Sequence, residues 1–474
     1  MIRPGNARVR DAIHVGLSLL WVLSSSPCRA DQIDDFVRAE LKRQGIPGAA
    51  IAVVRDGKIT KAKGYGVADL DHNVPVTADT VFALASITKQ FTATLIMILV
   101  EDGKVQLDDD IAEYLDAAPA TWKGITVRHL LHHTGGLSPL GRDFISLVRL
   151  PTISTAQMYA AARDDPIVGK PGERWEYSDV GYFLLGMIIE RASGMSYEAF
   201  LRERILTPLG MSTARMADLN RPYPNLAKGY TLILTDGERE ILNIRRDSQR
   251  GLTSHYGLFG TARDLAKWDA ALYNDSVINA ARRQEMLTAA RLNDGTTVPY
   301  GFGWNLGERN GYAYHYHSGI TGTFIMRVPG LRLTVVVLTN LGKWASGRSQ
   351  GADAYMLAHA IAGMSEPKFQ WKPLGRQDLV HAAKAREAFE ALSAGRLPQS
   401  LFAADAIKEL SPVIKDFPSW YRSMGPLRRL EMVDRVVEGG ETIGVFRFVF
   451  AKDTRVFAVL LDSEGRVSGF FPDG

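Results

Sequence analysis

The chain has 474 residues, 46% of them hydrophobic, and a formal net charge of +4. That length buries a sizeable core in two or more domains. Residues 1–30 hold four Arg and one Asp, so the balance beyond them falls to +1, and the basic excess gives no argument for a nucleic-acid partner.

The N-terminus reads as an export signal. Arg3, Arg8 and Arg10 form a basic start, Ile13–Leu23 an apolar middle and Ser24–Ala30 a small-residue exit. The apolar run is too short to span a bilayer, so no stable membrane span is expected. Cleavage near Asp31 would send the mature chain to the periplasm or beyond. It would also remove Cys28, the single cysteine, leaving neither a disulfide nor a thiol nucleophile.

Gln32–Arg43 has helical periodicity (Ile33, Phe36, Val37, Leu41) and stops at Gly45 and Pro47. Ala49–Val54 and Lys58–Val67 read as a hairpin around Arg55-Asp56-Gly57. Asn73–Thr80 reads as a loop. The stretch Phe82–Asp102, FALASITKQFTATLIMILVED, then predicts a buried helix ending at Gly103. Ser86 and Lys89 lie three residues apart, on one face of that helix. Ser86 is either an N-cap or a nucleophile; Lys89 either reaches solvent or takes the serine's proton.

Further helices are predicted at Val127–His133, Val180–Ala192 (capped by Ser178, stopped by Gly194), Tyr197–Ile205, Thr261–Tyr273 and Asn279–Ala290. Pro222–His255 reads as an irregular polar excursion. Strand character returns at Tyr300–Leu306, Tyr312–His317, Thr323–Val328 and Leu333–Thr339, followed by a helix at Gly351–Ile361. Two early and several late strands around a helical block predict an antiparallel sheet flanked by helices, with an inserted helical subdomain and a cleft between the two parts. Glu366–Gly375 reads as a linker. Beyond it, Leu379–Ala394 and Phe402–Ile414 are helical, and four strands between Arg429 and Phe471 form a meander. The domains expected are a 1–30 signal, a hydrolase unit over 31–366 and a small α+β unit over 376–474, vaguely NTF2-like.

Three stretches could meet in the cleft: Ser86-Ile-Thr-Lys89, Tyr177-Ser-Asp179 and His317-Ser-Gly319. Their order resembles the S-x-x-K, Y-x-N and K/H/W-x-G motifs of the serine β-lactamase and penicillin-binding protein superfamily. The branch resembled is class C β-lactamases, with D-aminopeptidases, DD-carboxypeptidases and family VIII carboxylesterases. ITVRHLLHHTGGL at 125–137, PGERWEYSDVGYFLLGMIIERASG at 171–194, GTARDLAKW at 260–268, YGFGW at 300–304 and VVVLTN at 335–340 agree, so the likeness covers about residues 31–363.

The resemblance implies a serine β-lactamase-like α/β fold and an acyl-enzyme on Ser86. Lys89 would be the base and Tyr177 the acid and base at the leaving group. The oxyanion site would pair the Ser86 N–H with one just after Gly319, at Ile320 or Thr321. It implies no cofactor and a small ester, amide or peptide as substrate, with cell-wall peptides and β-lactams as alternatives and a non-catalytic binding protein as the reading of another class.

Two residues depart from the pattern. Asp179 stands where the family has Asn; a carboxylate accepts but does not donate, and it favours a protonated Lys89. His317 stands where lactamases have Lys, and a neutral imidazole recognises a substrate carboxylate poorly. Both favour esters or D-amino-acid amides over β-lactams. Two other patterns carry less. Gly347-Arg-Ser349-Gln-Gly351 matches a nucleophile elbow but lacks the strand it must follow. His129, His132 and His133, like the pair His315 and His317, lack a completing carboxylate, so no metal is expected.

Overall fold

The structure, a computed structural model, describes residues 29–138, 153–218, 222–235, 238–244, 253–342, 349–350, 352, 354–372, 379–411, 414–438, 441–452, 454–462 and 464–472. The expected export signal therefore lies almost wholly outside the described residues. Helix α1 (Arg29–Gln44) leads into the hairpin of β1 (Gly48–Arg55) and β2 (Lys58–Asp69), turned by Asp56 and Gly57 at φ 51° and 74°. Inside the expected Asn73–Thr80 loop, β3 (Val74–Pro75) adds two residues to the edge of β2.

Late in the chain come β11 (Asn305–Arg309), β12 (Tyr312–Gly319), β13 (Thr323–Val328) and β14 (Leu333–Thr339). They join the early strands in one seven-stranded sheet of order β11-β12-β13-β14-β1-β2-β3. β1 and β14 pair antiparallel, Ala49 opposite Thr339 and Val53 opposite Val335. Because strand side chains alternate, these central strands feed two separate cores. Ala50, Ala52, Ile325, Val336 and Leu338 face the helical block. Ala49, Ile51, Val53, Phe324, Val335 and Val337 face α1 and the Ala354–Ser365 helix. The predicted antiparallel sheet between helical layers is the observed architecture.

The Phe82–Asp102 stretch is not one helix. Phe82–Ala83 forms β4, which pairs with β8 (Leu258–Gly260), itself paired with β5 (Arg215–Met216). A 3-10 turn spans Ala85–Ile87, and α2 runs from Thr88 to Glu101. Periodicity could not show the break, because the turn and helix are equally apolar. Every residue of α2 from Thr88 to Leu99 is buried. Its polar side chains find partners inside: Thr88 Oγ1 donates to the Ala85 carbonyl (2.6 Å), Gln90 Oε1 accepts from Trp268 Nε1 (3.0 Å), and Thr92 Oγ1 meets the Tyr197 hydroxyl (2.7 Å).

Three other expectations change. Pro222–His255 is not wholly irregular: β6 (Tyr230–Thr235) and β7 (Glu238–Asn243) make a hairpin that β15 (Ser349–Gln350) extends. β9 (Ala290–Arg291) and β10 (Thr297–Val298) form a further short pair inside the helical block. The strand expected from Tyr300 starts only at Asn305, because Gly303 turns at φ 74° with its α-carbon against the backbone of Lys89. A Cβ there would lie 2.8 Å from the Lys89 carbonyl, so only glycine fits.

The C-terminal residues build a third core. The Leu379–Ser393, Ala404–Leu410 and Phe417–Met424 helices, the last unanticipated, accompany the meander β16 (Leu427–Glu438), β17 (Glu441–Phe450), β18 (Thr454–Leu461) and β19 (Val467–Pro472). Val433, Val445 and Val456 form a smaller patch with Met356 and Trp371, joining the meander to the Ala354–Ser365 helix.

Candidate active site

Ser86 sits in the 3-10 turn, half-buried, after Ala85 at φ 48°. A left-handed alanine is strained, by about 1–3 kcal/mol, and such strain collects at functional sites. Ser86 caps nothing: the turn and α2 have Leu84 and Ile87 at their N-cap positions, without side-chain caps. The N-cap reading of Ser86 is therefore replaced by a hydroxyl that faces other side chains.

Lys89, one turn on, is fully buried. Its Nζ donates to Ser86 Oγ (3.3 Å), Asp179 Oδ1 (2.6 Å) and the His255 carbonyl (2.9 Å). Three acceptors match the three protons of an ammonium. Burial lowers the Lys89 pKa while the Asp179 carboxylate opposes that loss. Burial pushes the Asp179 carboxyl up, but Lys89 prevails and holds it below the ordinary value. The lowered Asp179 carboxyl and the 2.6 Å contact describe an ion pair, which the burial of Lys89 opposes.

Asp179 opens the Asp179–Ser193 helix, which Ser178 caps by accepting from the Gly181 N–H (3.2 Å) and which Gly194 ends at φ 72°. Tyr177 precedes this cap. Its side chain interacts with that of Ser86, and its ring centroid is 4.7 Å from Lys89 Nζ. Burial first, and the Asp179 charge second, raise Tyr177 well above its ordinary pKa, so it is a neutral phenol.

The third stretch lies at the end of β12. Gly319 lies against the Ser86 turn: a Cβ there would meet Thr323 Oγ1, the Leu84 carbonyl at 2.5 Å and the Ala85 Cβ at 3.1 Å. Thr321 Oγ1 donates to the Ala83 carbonyl (2.6 Å) and Thr323 Oγ1 to the Leu84 carbonyl (3.0 Å). The end of the strand is thus fastened beside Ser86. Ile320, next after Gly319, is 56% exposed, an apolar side chain left at the rim. His317 is buried, its ring 6.2 Å from that of Tyr177. Burial, then the Lys89 charge, lower its pKa to about 3, so the imidazole is neutral.

Ser86, Lys89, Tyr177, Asp179 and Gly319 therefore converge from separate elements. Three participants were not singled out from the sequence. The His255 carbonyl holds Lys89. Tyr300 lies 3.1 Å from His317 Nε2 and 3.2 Å from His133 Nε2. His133, weighed from the sequence as a metal ligand, turns at φ 60°, and its ring reaches the site. YGFGW and HHTGG were the signals for the last two.

The remaining candidates fall elsewhere. Ser349 is inside β15 rather than at a strand-to-helix turn. His129 completes the capping box of α3 (Val127–Leu131), and His132 Nδ1 donates to the Tyr300 carbonyl (3.1 Å). Among the described residues, no group of His, Cys, Asp and Glu is arranged to hold a metal.

Comparison with known proteins decides the lineage. The family described as Beta-lactamase matches residues 33–360. The chain belongs to the β-lactamase family. Penicillin-binding protein 4* of Bacillus subtilis is 32% identical over 310 residues, covering 61% of this chain and 67% of that protein. Among the first curated relatives, the matched stretch is between 62% and 67% of their length. The octameric penicillin-binding protein homologue from Pyrococcus abyssi superposes with a TM-score of 0.61 at 25% identity, over 92% of this chain and 94% of that one. D-amino acid amidase from Ochrobactrum anthropi SV3, complexed with D-phenylalanine, superposes at 0.60 with 26% identity, over 72% and 99%. Family and neighbours together make this β-lactamase-family chain a serine hydrolase. No helix among the described residues is long and apolar enough to cross a membrane.

Proposed function

We propose that this serine hydrolase forms an acyl-enzyme on Ser86 and cleaves esters or small D-amino-acid amides and peptides. The observation that carries the reading is the single contact set of Lys89 Nζ with Ser86, Asp179 and the His255 carbonyl. With Asp179 beside it, Lys89 serves as a fixed cation that polarises Ser86 rather than as a free amine. The Ser86 proton then passes to Tyr177 Oη as Oγ bonds to the acyl carbon, and Tyr177 gives its own proton to the leaving oxygen or nitrogen as that bond breaks. Water hydrolyses the ester by the reverse relay, returning the proton to Ser86. The Ser86 N–H and one just after Gly319 would hold the oxyanion.

Asp179 and His317 favour a substrate without a carboxylate at the scissile group. An anion there would face the Asp179 charge and meet no cationic side chain at 317. The likeness to a D-amino acid amidase supports the amide arm. We also propose export through residues 1–30, on the strength of the basic–apolar–small pattern.

Fluorophosphonate labelling followed by intact mass tests the acyl-enzyme: one adduct is expected on the wild type and none on Ser86→Ala. Turnover of p-nitrophenyl esters by Ser86→Ala should fall on the order of 10^4-fold or more. Full turnover in that variant would end the proposal. A panel of p-nitrophenyl esters, D-phenylalanine amide, D-alanyl peptides and a chromogenic cephalosporin tests the substrate class; turnover confined to the cephalosporin would reverse it.

A further inference from the structure

Tyr300 lies outside the three motifs, yet its hydroxyl joins two of them. Two backbone groups fix the direction of every proton along the connection. The Ser178 N–H can only donate, and it donates to His133 Nδ1 (3.0 Å). That leaves neutral His133 with its proton on Nε2, which donates to the Tyr300 oxygen (3.2 Å). The Tyr300 proton has two neighbours to choose from, the Tyr182 hydroxyl and His317 Nε2 (3.1 Å), and it goes to His317 because that ring keeps its own proton on Nδ1. The Ser318 carbonyl can only accept, and it accepts from that Nδ1 (2.8 Å). The polarity required at one end is the polarity found at the other.

We infer that Tyr300 is a positioning residue: its hydroxyl sets opposite tautomers on His133 and His317 and so ties the Tyr177–Asp179 corner to the strand that forms the oxyanion site. The inference rests on the Ser86 acyl-enzyme reading. One end of the chain is the peptide between Tyr177 and Asp179. The other is the carbonyl before Gly319, the residue that lies against Leu84 and Ala85. Both His317 nitrogens are engaged within the protein, so its work is to orient the strand. The groups around it are Tyr300, Lys89, Asp179, the Tyr177 ring and, more remotely, His133. Burial keeps both imidazoles neutral, as the chain demands.

Tyr300→Phe tests this in the full chain, because the ring and its packing against His133 (centroids 4.9 Å apart) and Trp175 (5.9 Å) remain. Ester kcat and the rate of fluorophosphonate labelling should fall about tenfold to a hundredfold, the cost of misplacing a reacting group by a fraction of an ångström to an ångström. KM should change little. The acid limb of the pH profile should move to higher pH, because neutral His317 loses the donor that favours it. His133→Asn is a second variant that does not depend on the first folding. Asn tolerates the left-handed backbone at 133 and can still accept from Ser178 N–H, but it does not reach Tyr300. It should show the same loss, with no further loss in the double variant. In the wild type, imidazole 15N shifts should report His317 protonated at Nδ1 and His133 at Nε2. Unchanged kcat and acid limb in Tyr300→Phe, or the opposite tautomer on His317, would overturn the inference. A wild type that never labels at Ser86 would instead remove the acyl-enzyme reading, and the tautomers would still be measured.

Discussion

The catalytic region and the C-terminal core stand at opposite ends of what a buried interior can be. Around Ser86 the interior holds Lys89, Asp179, His133, His255, His317, Tyr177 and Tyr300, bound to one another or to backbone. The core of the C-terminal residues is built from Phe389, Phe446, Phe448, Phe450, Phe457 and Phe470, with rings packed edge to face, stacked or tilted. Burying polar groups costs stability unless every one is satisfied, whereas burying a ring stabilises outright. The first interior is arranged for chemistry and is sensitive to protons. The second is arranged for cohesion, with the His381 imidazole set beside Phe446 and bonded to the Val459 carbonyl.

Phe448→Ala probes the second interior alone. Phe448 is fully buried against Phe389, Phe450, Phe457 and Phe470, and the cavity should cost about 3–5 kcal/mol by chemical denaturation. Ester kcat per active site, counted by fluorophosphonate titration, should stay at the wild-type value. A fall in kcat would show that the two interiors are coupled through the Val433–Met356 patch.

Acid separates them next. His132 and His315 are lowered to about 4, and His255 and His317 to about 3, each mainly by burial. The unfolded chain regains an ordinary value near 6.5 and so binds more protons across the window between. Stability is full above about pH 6.5 and falls steadily as pH drops toward 4. Hydrogen exchange at pH 5 should therefore show peptides around 89, 133, 255 and 317 losing protection relative to pH 7.5, while those spanning 446–470 hold theirs. Equal loss in both would cancel the contrast.

Asp179→Asn keeps the shape and removes the charge. An amide both accepts and donates, so Lys89 is no longer held as a cation and an acyl-amide carbonyl gains a donor. Selectivity for D-phenylalanine amide over a p-nitrophenyl ester should rise about tenfold, roughly 1.4 kcal/mol. An unchanged ratio would mean that the carboxylate does not meet the substrate. The smallest effect is at Ala85→Gly. Removing a Cβ at φ 48° relieves strain, and stability in urea should rise by about 0.5–1 kcal/mol. A decrease would show that the Ala85 methyl, packed against Gly319, matters more than the backbone.

The sequence made the sheet and the motif residues legible because alternation and three-residue spacing are local signals. Thr323–Val328 and Leu333–Thr339 read correctly to the residue. The 3-10 break before Thr88 was invisible, since hydrophobic periodicity does not change at a turn whose geometry comes from β8 and Gly319. The Tyr230–Asn243 hairpin was hidden because residues 240–243 of its second strand are all solvent-facing and do not alternate. Tyr300 and His133 were unreadable as partners. They are 167 positions apart, and only the sheet and α3 bring them together.

One bond at the centre of the sheet also sets the order of events in time. The Gly48 N–H donates to Asn340 Oδ1 across 292 positions, beside the ladder in which β1 lies against β14. The β1–β14 pair cannot close until the chain has been delivered through residue 340, and such non-local closure slows folding. The Ser86 turn is produced early but leans on Gly319, so it lacks that support until the later strands arrive. A chain threaded unfolded through a membrane would remain catalytically silent throughout its passage, and acquire its hydrolytic activity only after arrival.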